Sequence, residues 1–367
     1  MAKQWLRASL SLSMFVVPML PLAGIALNTP SLAFWTVILV LPLARRFVGK
    51  VQANAAENWD EGVATWLDRL PLLYAVVLLG CTALVLRHLA LASRPSPGQA
   101  VGLGLSLWMT LLFATCVAHE LIHRRDPRQA MVGHCIAGLS GYPLLGSEHL
   151  RHHARAGATQ DAEWPRADES VWWFAYRRAM GVFARNYGSR SAFWSAGASG
   201  RHVYGLRAAT SIALITCSLF ALAGGWMGLV IYLGSAVSVA FGMQLFTYIQ
   251  HWGLGDDRLG ERSSQGFGWE DDCRLQAWMT LGISLHHAHH QSTSRPYYNM
   301  VLTADSPRLP AGYVVLMFLC LFPQQWRKAM KPALEHWERY PDDPRSPGRD
   351  LTCFNKYSDR RTPPVSP

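Results

Sequence analysis

The strongest constraint on this chain is a series of long apolar runs. A helix across the ~30 Å hydrocarbon core of a bilayer needs about 20 mostly apolar residues. The runs that reach or approach this length are residues 9–27, 70–92, 99–122, 208–222 and 227–249, with shorter ones at 32–44 and 311–322. So many runs in one chain favour membrane spans over buried helices of a soluble core. We predict an all-α polytopic membrane protein with about six transmembrane helices.

The first run also resembles a secretory signal, because Lys3 and Arg7 precede it. No small-residue cleavage site closes it and further runs follow, so we predict a retained span. Residues 1–340 are expected to form a single integral-membrane domain. Residues 341–367, rich in Pro, Asp and Arg, are expected to form a flexible polar tail.

The net charge of +10 comes from basic residues beside the apolar runs. Examples are Arg45-Arg46 and Arg124-Arg125, and the positive-inside rule places such flanks in the cytoplasm. No nucleic-acid recognition motif accompanies the charge, so we expect no nucleic-acid partner. The seven cysteines form no C-x-x-C pair, which argues against a built-in rubredoxin or zinc ribbon and against a disulfide framework.

Fourteen histidines are present, and nine of them fall into tight groups. Residues 119–123 read H-E-L-I-H, residues 149–153 read H-L-R-H-H and residues 286–290 read H-H-A-H-H. A further histidine, His251, ends an apolar run. On a helix, positions i, i+3 and i+4 share a face, so each group can direct its imidazoles towards one region.

Eight of the grouped histidines, all except His287, and the separate His251 provide nine candidate nitrogen ligands, enough for two metal ions with four or five nitrogens each. The candidates are His119, His123, His149, His152, His153, His251, His286, His289 and His290. Imidazole suits Fe, Zn, Cu and Ni alike. Taken alone, H-E-L-I-H also fits a zinc protease with Glu120 as base, but a zinc hydrolase usually needs only three protein ligands. We expect no metal at His88, His134, His202 or His336.

The grouped histidines resemble those of the membrane-bound histidine-rich di-iron family, which comprises alkane 1-monooxygenase, xylene monooxygenase and the fatty acid desaturases. The resemblance is closest to alkane 1-monooxygenase. Its H-E-L-x-H, E-H-x-x-G-H-H, N-Y-x-x-H-Y-G and L-Q-R-H-S-D-H-H boxes are similar to residues 119–123, 148–153, 247–253 and 284–290. The second box is one residue shorter here. Thr247, Trp252 and the pair His287-Ala288 also depart from the pattern.

The resemblance implies two non-haem irons held by the nine histidines at the cytoplasmic ends of the spans, in a bacterial inner membrane. It further implies O2 as co-substrate and an unactivated C–H bond, such as the terminal methyl of an n-alkane or alkyl chain, as the site of hydroxylation. The chain shows no flavin or nicotinamide motif, so the electrons are expected from a rubredoxin or ferredoxin with its reductase. Arg124-Arg125 and Arg177-Arg178 are candidate docking patches for an acidic donor.

Two alternatives remain open. A fatty acid or lipid desaturase on the same iron site shares the hydrogen abstraction and differs in the fate of the carbon radical. A metal carrier or histidine-rich membrane scaffold differs in class, although the repeated halves typical of transporters are not evident.

Two sets of supporting residues are also expected. The spans around residues 103–118 and 230–246 can line an apolar channel for the substrate, with Trp108, Phe113, Phe241 and Phe246 as candidates. Acidic side chains close to the histidine groups can accept hydrogen bonds from imidazole and orient it. The candidates for that role are Glu120, Glu148, Asp126 and Asp161.

Overall fold

A computed structural model describes residues 2–53, 57–91, 95–195 and 197–340. The predicted tail at 341–367 lies outside the described residues. The helices are α1 (Ala2–Ala26), the interrupted α2 (Leu32–Trp35, Thr36–Val40 and Leu41–Val48), α3 (Glu61–Leu91), α4 (Pro97–Ile122), α5 (Pro127–Leu139), α6 (Leu145–Ala154), α7 (Val171–Tyr187), α8 (Arg201–His251), α9 (Asp256–Leu259), α10 (Arg274–Met279), α11 (His286–Gln291), α12 (Tyr313–Leu319) and α13 (Pro323–Arg339). Over the described ranges, residues outside helices pair only as isolated β-bridges, so the predicted all-α class is confirmed.

Four of the described helices, α1, α3, α4 and α8, are long and apolar enough to cross a membrane. The predicted number of about six spans stays a prediction. The run at 32–44 forms α2, which a π-helical turn at Thr36–Val40 interrupts. The run at 311–322 is helical only over Tyr313–Leu319, which is too short to span.

The helix α8 contains both of the last two long runs and reverses direction between them. Gly225 has non-helical angles, φ 61° and ψ −148°, in a region that favours glycine. A Cβ on Gly228 would lie 2.0 Å from the carbonyl oxygen of Phe220, and Phe220 stacks on Tyr232 at 5.2 Å between ring centroids. The two halves therefore form a hairpin, and each half exceeds the about 20 residues that a span needs.

The helix α4 lies at the centre of the bundle, packed against α5 and α8. Its N-terminus carries a capping box in which Ser96 and Gln99 satisfy each other's backbone N–H groups. Close approach of the helices depends on glycine, since a Cβ on Gly138 of α5 would lie 2.3 Å from the carbonyl oxygen of Ala209. This packing fixes the C-terminal ends of α4 and α8 beside each other.

The polar stretch between α4 and α8 contributes α6 and an amphipathic helix, α7. Trp172, Trp173 and Tyr176 are exposed on α7, while Phe174 is fully buried. Exposed aromatic residues of this kind are typical of the membrane–water interface. Hydropathy did not reveal this helix, because Arg177, Arg178 and Arg185 interrupt its apolar residues.

Candidate metal centre

Four helices bring the nine predicted histidines together. The last turn of α4 carries His119 and His123. His149, His152 and His153 lie on α6, His251 is the last residue of α8, and His286, His289 and His290 lie on the short α11. The long helices α4 and α8 contribute histidines from their C-terminal ends. The short helices α6 and α11 contribute three imidazoles each.

The histidines separate into two clusters. Within each cluster the candidate ligand atoms all lie within 4.8 Å of one another. The five-histidine cluster consists of His119, His123, His149, His153 and His289. The four-histidine cluster consists of His152, His251, His286 and His290.

The helices α6 and α11 each supply both clusters, because neighbouring positions of one helix face point to different centres. On α6, His149 and His153 belong to the first cluster, and His152 to the second. The arrangement offers five nitrogens to one ion and four to another.

In the five-histidine cluster the Nε2 atoms converge closely. The distance is 2.7 Å from His123 to His149, 2.8 Å from His153 to His289 and 3.0 Å from His119 to His289. One Nε2 atom therefore has several others at hydrogen-bond distance, and a neutral imidazole cannot offer a proton to each of them.

In the four-histidine cluster, backbone contacts fix the tautomers. The Nδ1 atoms of His152 and His251 lie 3.2 Å and 3.3 Å from the carbonyl oxygens of Glu163 and Phe267. Each Nδ1 must donate its hydrogen there, which leaves each Nε2 without one. These two bare Nε2 atoms face each other at 2.9 Å. Two lone pairs so placed repel unless a cation lies between them, so the donor set fits a bound metal ion.

The burial of the clusters also suits metal binding. His152 and His251 are almost fully buried, and burial lowers the pKa of the His152 imidazole to about 4. The ring is therefore neutral at physiological pH and its nitrogen is free to act as a ligand. The role of the nine histidines as iron ligands stays a prediction.

The remaining histidines lie away from both clusters. His287 is buried and stacks on Phe267 at 4.8 Å, and its Nε2 lies 2.9 Å from the side-chain nitrogen of Gln291. His134 is buried against Gly146 and Gly205, and burial lowers its pKa to about 4. His88 and His202 are exposed, and His336 is half-buried.

The sequence did not identify two residues that support the clusters. Trp164, fully buried, packs its ring on His251 with 4.0 Å between centroids. Glu270, also fully buried, accepts hydrogen bonds from Thr303 at 3.0 Å and from Arg308 at 2.8 Å. Its other oxygen lies 3.5 Å from the backbone nitrogen of Ala288 in α11. Neither residue stands beside a histidine motif in the sequence, and only the fold brings them to the site.

The expectation that four carboxylates orient imidazole rings was wrong. In the described part of the chain, Glu120 pairs with Arg124 at 2.8 Å, and Asp126 caps the first turn of α5. Asp161 lies 3.3 Å and 3.4 Å from Arg151 and Arg155. The carboxylate of Glu148 contacts Tyr142, Gln244 and Arg178. Nearby arginines pair with three of these carboxylates and a backbone N–H donates to the fourth, Asp126, while backbone carbonyls accept from His152 and His251.

One of the two predicted docking patches is also corrected. Arg178 is buried, and burial lowers the pKa of its guanidinium to about 10, which leaves it charged at neutral pH beside Glu148. Arg177 is engaged with Glu169 at 2.6 Å. In the other patch, Arg124 pairs with Asp68 and Glu120, and Arg125 is exposed. Arg125 and Arg295 line a surface cleft that also reaches His123.

A cavity borders both clusters. It touches His119 and His149 of the first cluster, and His152 and His286 of the second. Its wall away from the histidines includes Leu145, Met243, Phe246 and Ile283, together with the polar side chains Thr115, Cys116, Glu148, Arg178, Thr247, Gln250, Gln276, Thr280, Ser284 and Tyr313. This is the space in which a substrate can lie beside the metal centre.

Of the four predicted channel residues, only Phe246 lines this cavity. Trp108 packs near Phe34, with ring centroids 6.1 Å apart, and Phe241 stacks on Trp172 at 5.5 Å. Phe113 packs in an apolar cluster with Met109 and Met279. Helix rotation decides which side chains of a span face inward, and hydropathy alone does not report it.

Comparison with known proteins agrees with this geometry. Residues 96–320 match the model of the fatty acid desaturase family. The chain is 25% identical to alkane 1-monooxygenase 2 of Alcanivorax borkumensis, over 87% of this chain and 88% of that protein. It is 29% identical to alkane 1-monooxygenase 1 of Pseudomonas aeruginosa, over 59% of this chain and 58% of the relative.

A xylene/toluene monooxygenase hydroxylase component of Pseudomonas putida is 25% identical over 66% of this chain and 67% of that protein. The family match covers all four histidine-bearing helices and both clusters. The chain therefore belongs to the fatty acid desaturase family of oxidoreductases, and within it is similar to membrane monooxygenases.

Proposed function

We propose that this chain is an O2-dependent monooxygenase that binds two iron ions and hydroxylates an unactivated C–H bond of a hydrophobic substrate. The expected position is the terminal methyl of an n-alkane or alkyl chain. The single observation that carries the proposal is the convergence of nine imidazoles into two adjacent clusters beside one cavity. Relatives named alkane 1-monooxygenase support the choice of reaction and substrate.

The five-histidine and four-histidine clusters would each hold one iron. Bound iron would supply the redox chemistry that reduces O2 and oxidises the C–H bond, with two electrons and two protons consumed and one water released. The protein holds the imidazoles neutral by burial and presents Nε2 by bonding Nδ1 to the backbone. Trp164 packs over His251 and limits the rotation of that ring.

The cavity orients the substrate and limits access of water. Leu145, Met243 and Phe246 offer apolar contacts beside His149 and His152. An alkyl chain held there places one carbon next to the metal centre, and such positioning accounts for a large part of the rate in reactions of this kind.

The electrons are proposed to come from a rubredoxin or ferredoxin with its reductase. The cleft lined by Arg125 and Arg295, together with Glu120 and Asp126, supports this proposal, because it extends from these arginines to His123. An acidic donor docked there would lie close to the five-histidine cluster. Basic flanks of this kind also favour a bacterial inner membrane with the centre facing the cytoplasm.

The test uses the full chain in lipid nanodiscs, loaded with ferrous iron and supplied with a rubredoxin and its reductase. Metal analysis is expected to give about two irons per chain. Incubation with n-alkanes under ¹⁸O2 is expected to give a labelled primary alcohol. Zinc or copper in place of iron, with no O2 consumption on reduction, would instead support a metal carrier or scaffold.

The family match also supports a second candidate function, a lipid desaturase at the same centre. The same experiment, repeated with alkyl-aromatic and fatty acyl substrates, separates the two. Loss of two hydrogens without label means desaturation, whereas incorporated label means hydroxylation.

A further inference from the structure

A second, smaller cavity lies between α2, α10 and α12, next to the metal-site cavity. Two residues, Gln276 and Tyr313, line both cavities. These two side chains therefore lie at the boundary between the second cavity and the space beside the histidines. The second cavity is called the outer cavity below, and the metal-site cavity the inner cavity.

The outer cavity is mainly apolar. Its other lining residues are Leu41, Pro42, Arg45, Cys273, Leu275, Met279, Gly312, Val314 and Val315. The charged exception, Arg45, is directed to Asp271, with which it forms an ion pair. A hydrocarbon chain in this cavity would contact aliphatic side chains, and the charge of Arg45 is already compensated by Asp271.

Two of the helices around the outer cavity, α2 and α12, expose large apolar side chains. On α2, Leu39, Val40 and Leu43 are each more than half exposed, and Phe47 is 86% exposed. At the other side, Phe318 of α12 is also exposed. Large exposed apolar side chains on a polytopic chain mark the surface that lipid covers. The outer cavity therefore lies where a hydrophobic solute dissolved in the membrane can reach it.

Tyr313 and Gln276 form the boundary between the cavities. Tyr313 begins α12 directly after Gly312, is buried, and contacts Phe246 with ring centroids 5.8 Å apart. Its hydroxyl lies 3.3 Å from Nε2 of Gln250, a long hydrogen bond to the residue that precedes His251. Gln276, on α10, is half-buried.

We infer that hydrophobic substrate passes from the bilayer through the outer cavity to the metal centre, with Gln276 and Tyr313 as the constriction that selects its width. This inference rests on the proposed function for the identity of the substrate, an alkyl chain. It assigns a specificity role to residues outside the histidine motifs and locates entry between α2, α10 and α12.

The first test is photo-crosslinking of the iron-loaded chain in nanodiscs with an alkane that carries a diazirine near one end. Peptide mapping is expected to find adducts on Leu275, Met279, Val314 or Val315, and excess unlabelled alkane should reduce them. Because crosslinking does not require turnover, competed adducts there without any hydroxylation would overturn the proposed function and leave the passage standing. Hydroxylation without such adducts would overturn the passage alone, and absence of both would overturn both.

The second test changes the width of the constriction. Gln276→Trp is expected to lower kcat/KM for long alkanes by about ten-fold, with iron content and O2 consumption on reduction unchanged, because the inserted ring narrows the passage. Gln276→Ala should shift activity towards branched or alkyl-aromatic substrates. The matched control is Gln325→Trp on the exposed face of α13, which should match the parent protein. Equal substrate profiles in all three variants would contradict the assignment.

Discussion

The two histidine clusters offer the same donor atoms in different surroundings. In the five-histidine cluster, His123, His149 and His153 are only half-buried, and His123 borders a surface cleft lined by arginines. In the four-histidine cluster, all members except His290 are buried, and backbone carbonyls accept from the rings of His152 and His251. The comparison shows that the same type of side chain forms one partly exposed cluster and one largely buried cluster.

The clusters also differ in their number of nitrogen donors. The first cluster has five nitrogens, so one can be lost while four remain. The second has four, and loss of one leaves three. The clusters should therefore respond unequally to the same substitution, and the predictions below use that inequality.

The largest effect is expected for removal of a central imidazole. His251→Ala should lower hydroxylation by more than about 100-fold, beyond the loss typical of outer-sphere changes, because His251 Nε2 faces both His152 and His286 at 2.9 Å. His289→Ala leaves four nitrogens in the five-histidine cluster, so its effect should be smaller than that of His251→Ala, although His289 Nε2 lies within 3.3 Å of three other imidazoles. The test measures iron per chain and membrane insertion together, and iron content should fall while insertion is unchanged. Full turnover in either variant would reject the ligand assignment.

The second-largest effect is expected for removal of the buried Glu270 carboxylate beside α11. Glu270→Ala leaves Arg308 buried without its partner, and breaking a buried pair of this kind costs about 3–5 kcal/mol in the free energy of unfolding. The matched control is Glu338→Ala, since Glu338 pairs with Arg258 at the surface and is worth at most about 1 kcal/mol. Thermal unfolding in detergent measures both. Equal shifts would show that Glu270 does not stabilise this region.

A smaller effect is expected at the edge of the five-histidine cluster. His123→Ala leaves four nitrogens in place, so iron content should stay near two per chain and activity should fall by about ten-fold. If this variant loses as much iron as His251→Ala, the proposed redundancy is absent.

The pH dependence of the metal-free protein provides a further comparison. Burial lowers the pKa of His152 and His134 from the usual value near 6.5 to about 4 in the folded state. Between pH 6.5 and 4 the unfolded chain therefore binds more protons, and stability falls as the pH decreases through this window. Of these two histidines, only His152 is a candidate metal ligand. Bound iron should therefore remove the loss of stability that protonation of His152 causes, and leave the loss that His134 causes. A transition temperature that does not change from pH 7 to 5 would contradict this.

The smallest effect is expected at His88, which is exposed on α3 and remote from both clusters in the sequence and the fold. His88→Ala should keep iron content and turnover at parent levels. Iron loss in this variant would mean that the wrong histidines were selected.

Much of the site could be anticipated from the chain because local spacing and helix geometry are linked. His119 and His123 share a helix face wherever the helix lies, and the apolar run that precedes them brings them to a helix end. The roles expected for the arginines and carboxylates were wrong because their partners are distant in the sequence. Arg178 reads as a surface cation and is buried beside Glu148. No local pattern reports which partner a distant carboxylate meets.

The sequence by itself determined that the chain is helical, rich in apolar spans and equipped with nine imidazoles at metal-binding spacing, since these properties depend on periodicity and composition. Only the tertiary structure decided that α6 and α11 divide their histidines five to four, that Trp164 and Glu270 stand behind them, and that Gln276 and Tyr313 separate two cavities. Those relations depend on the rotation and approach of helices far apart in the chain, which packing of the whole bundle fixes.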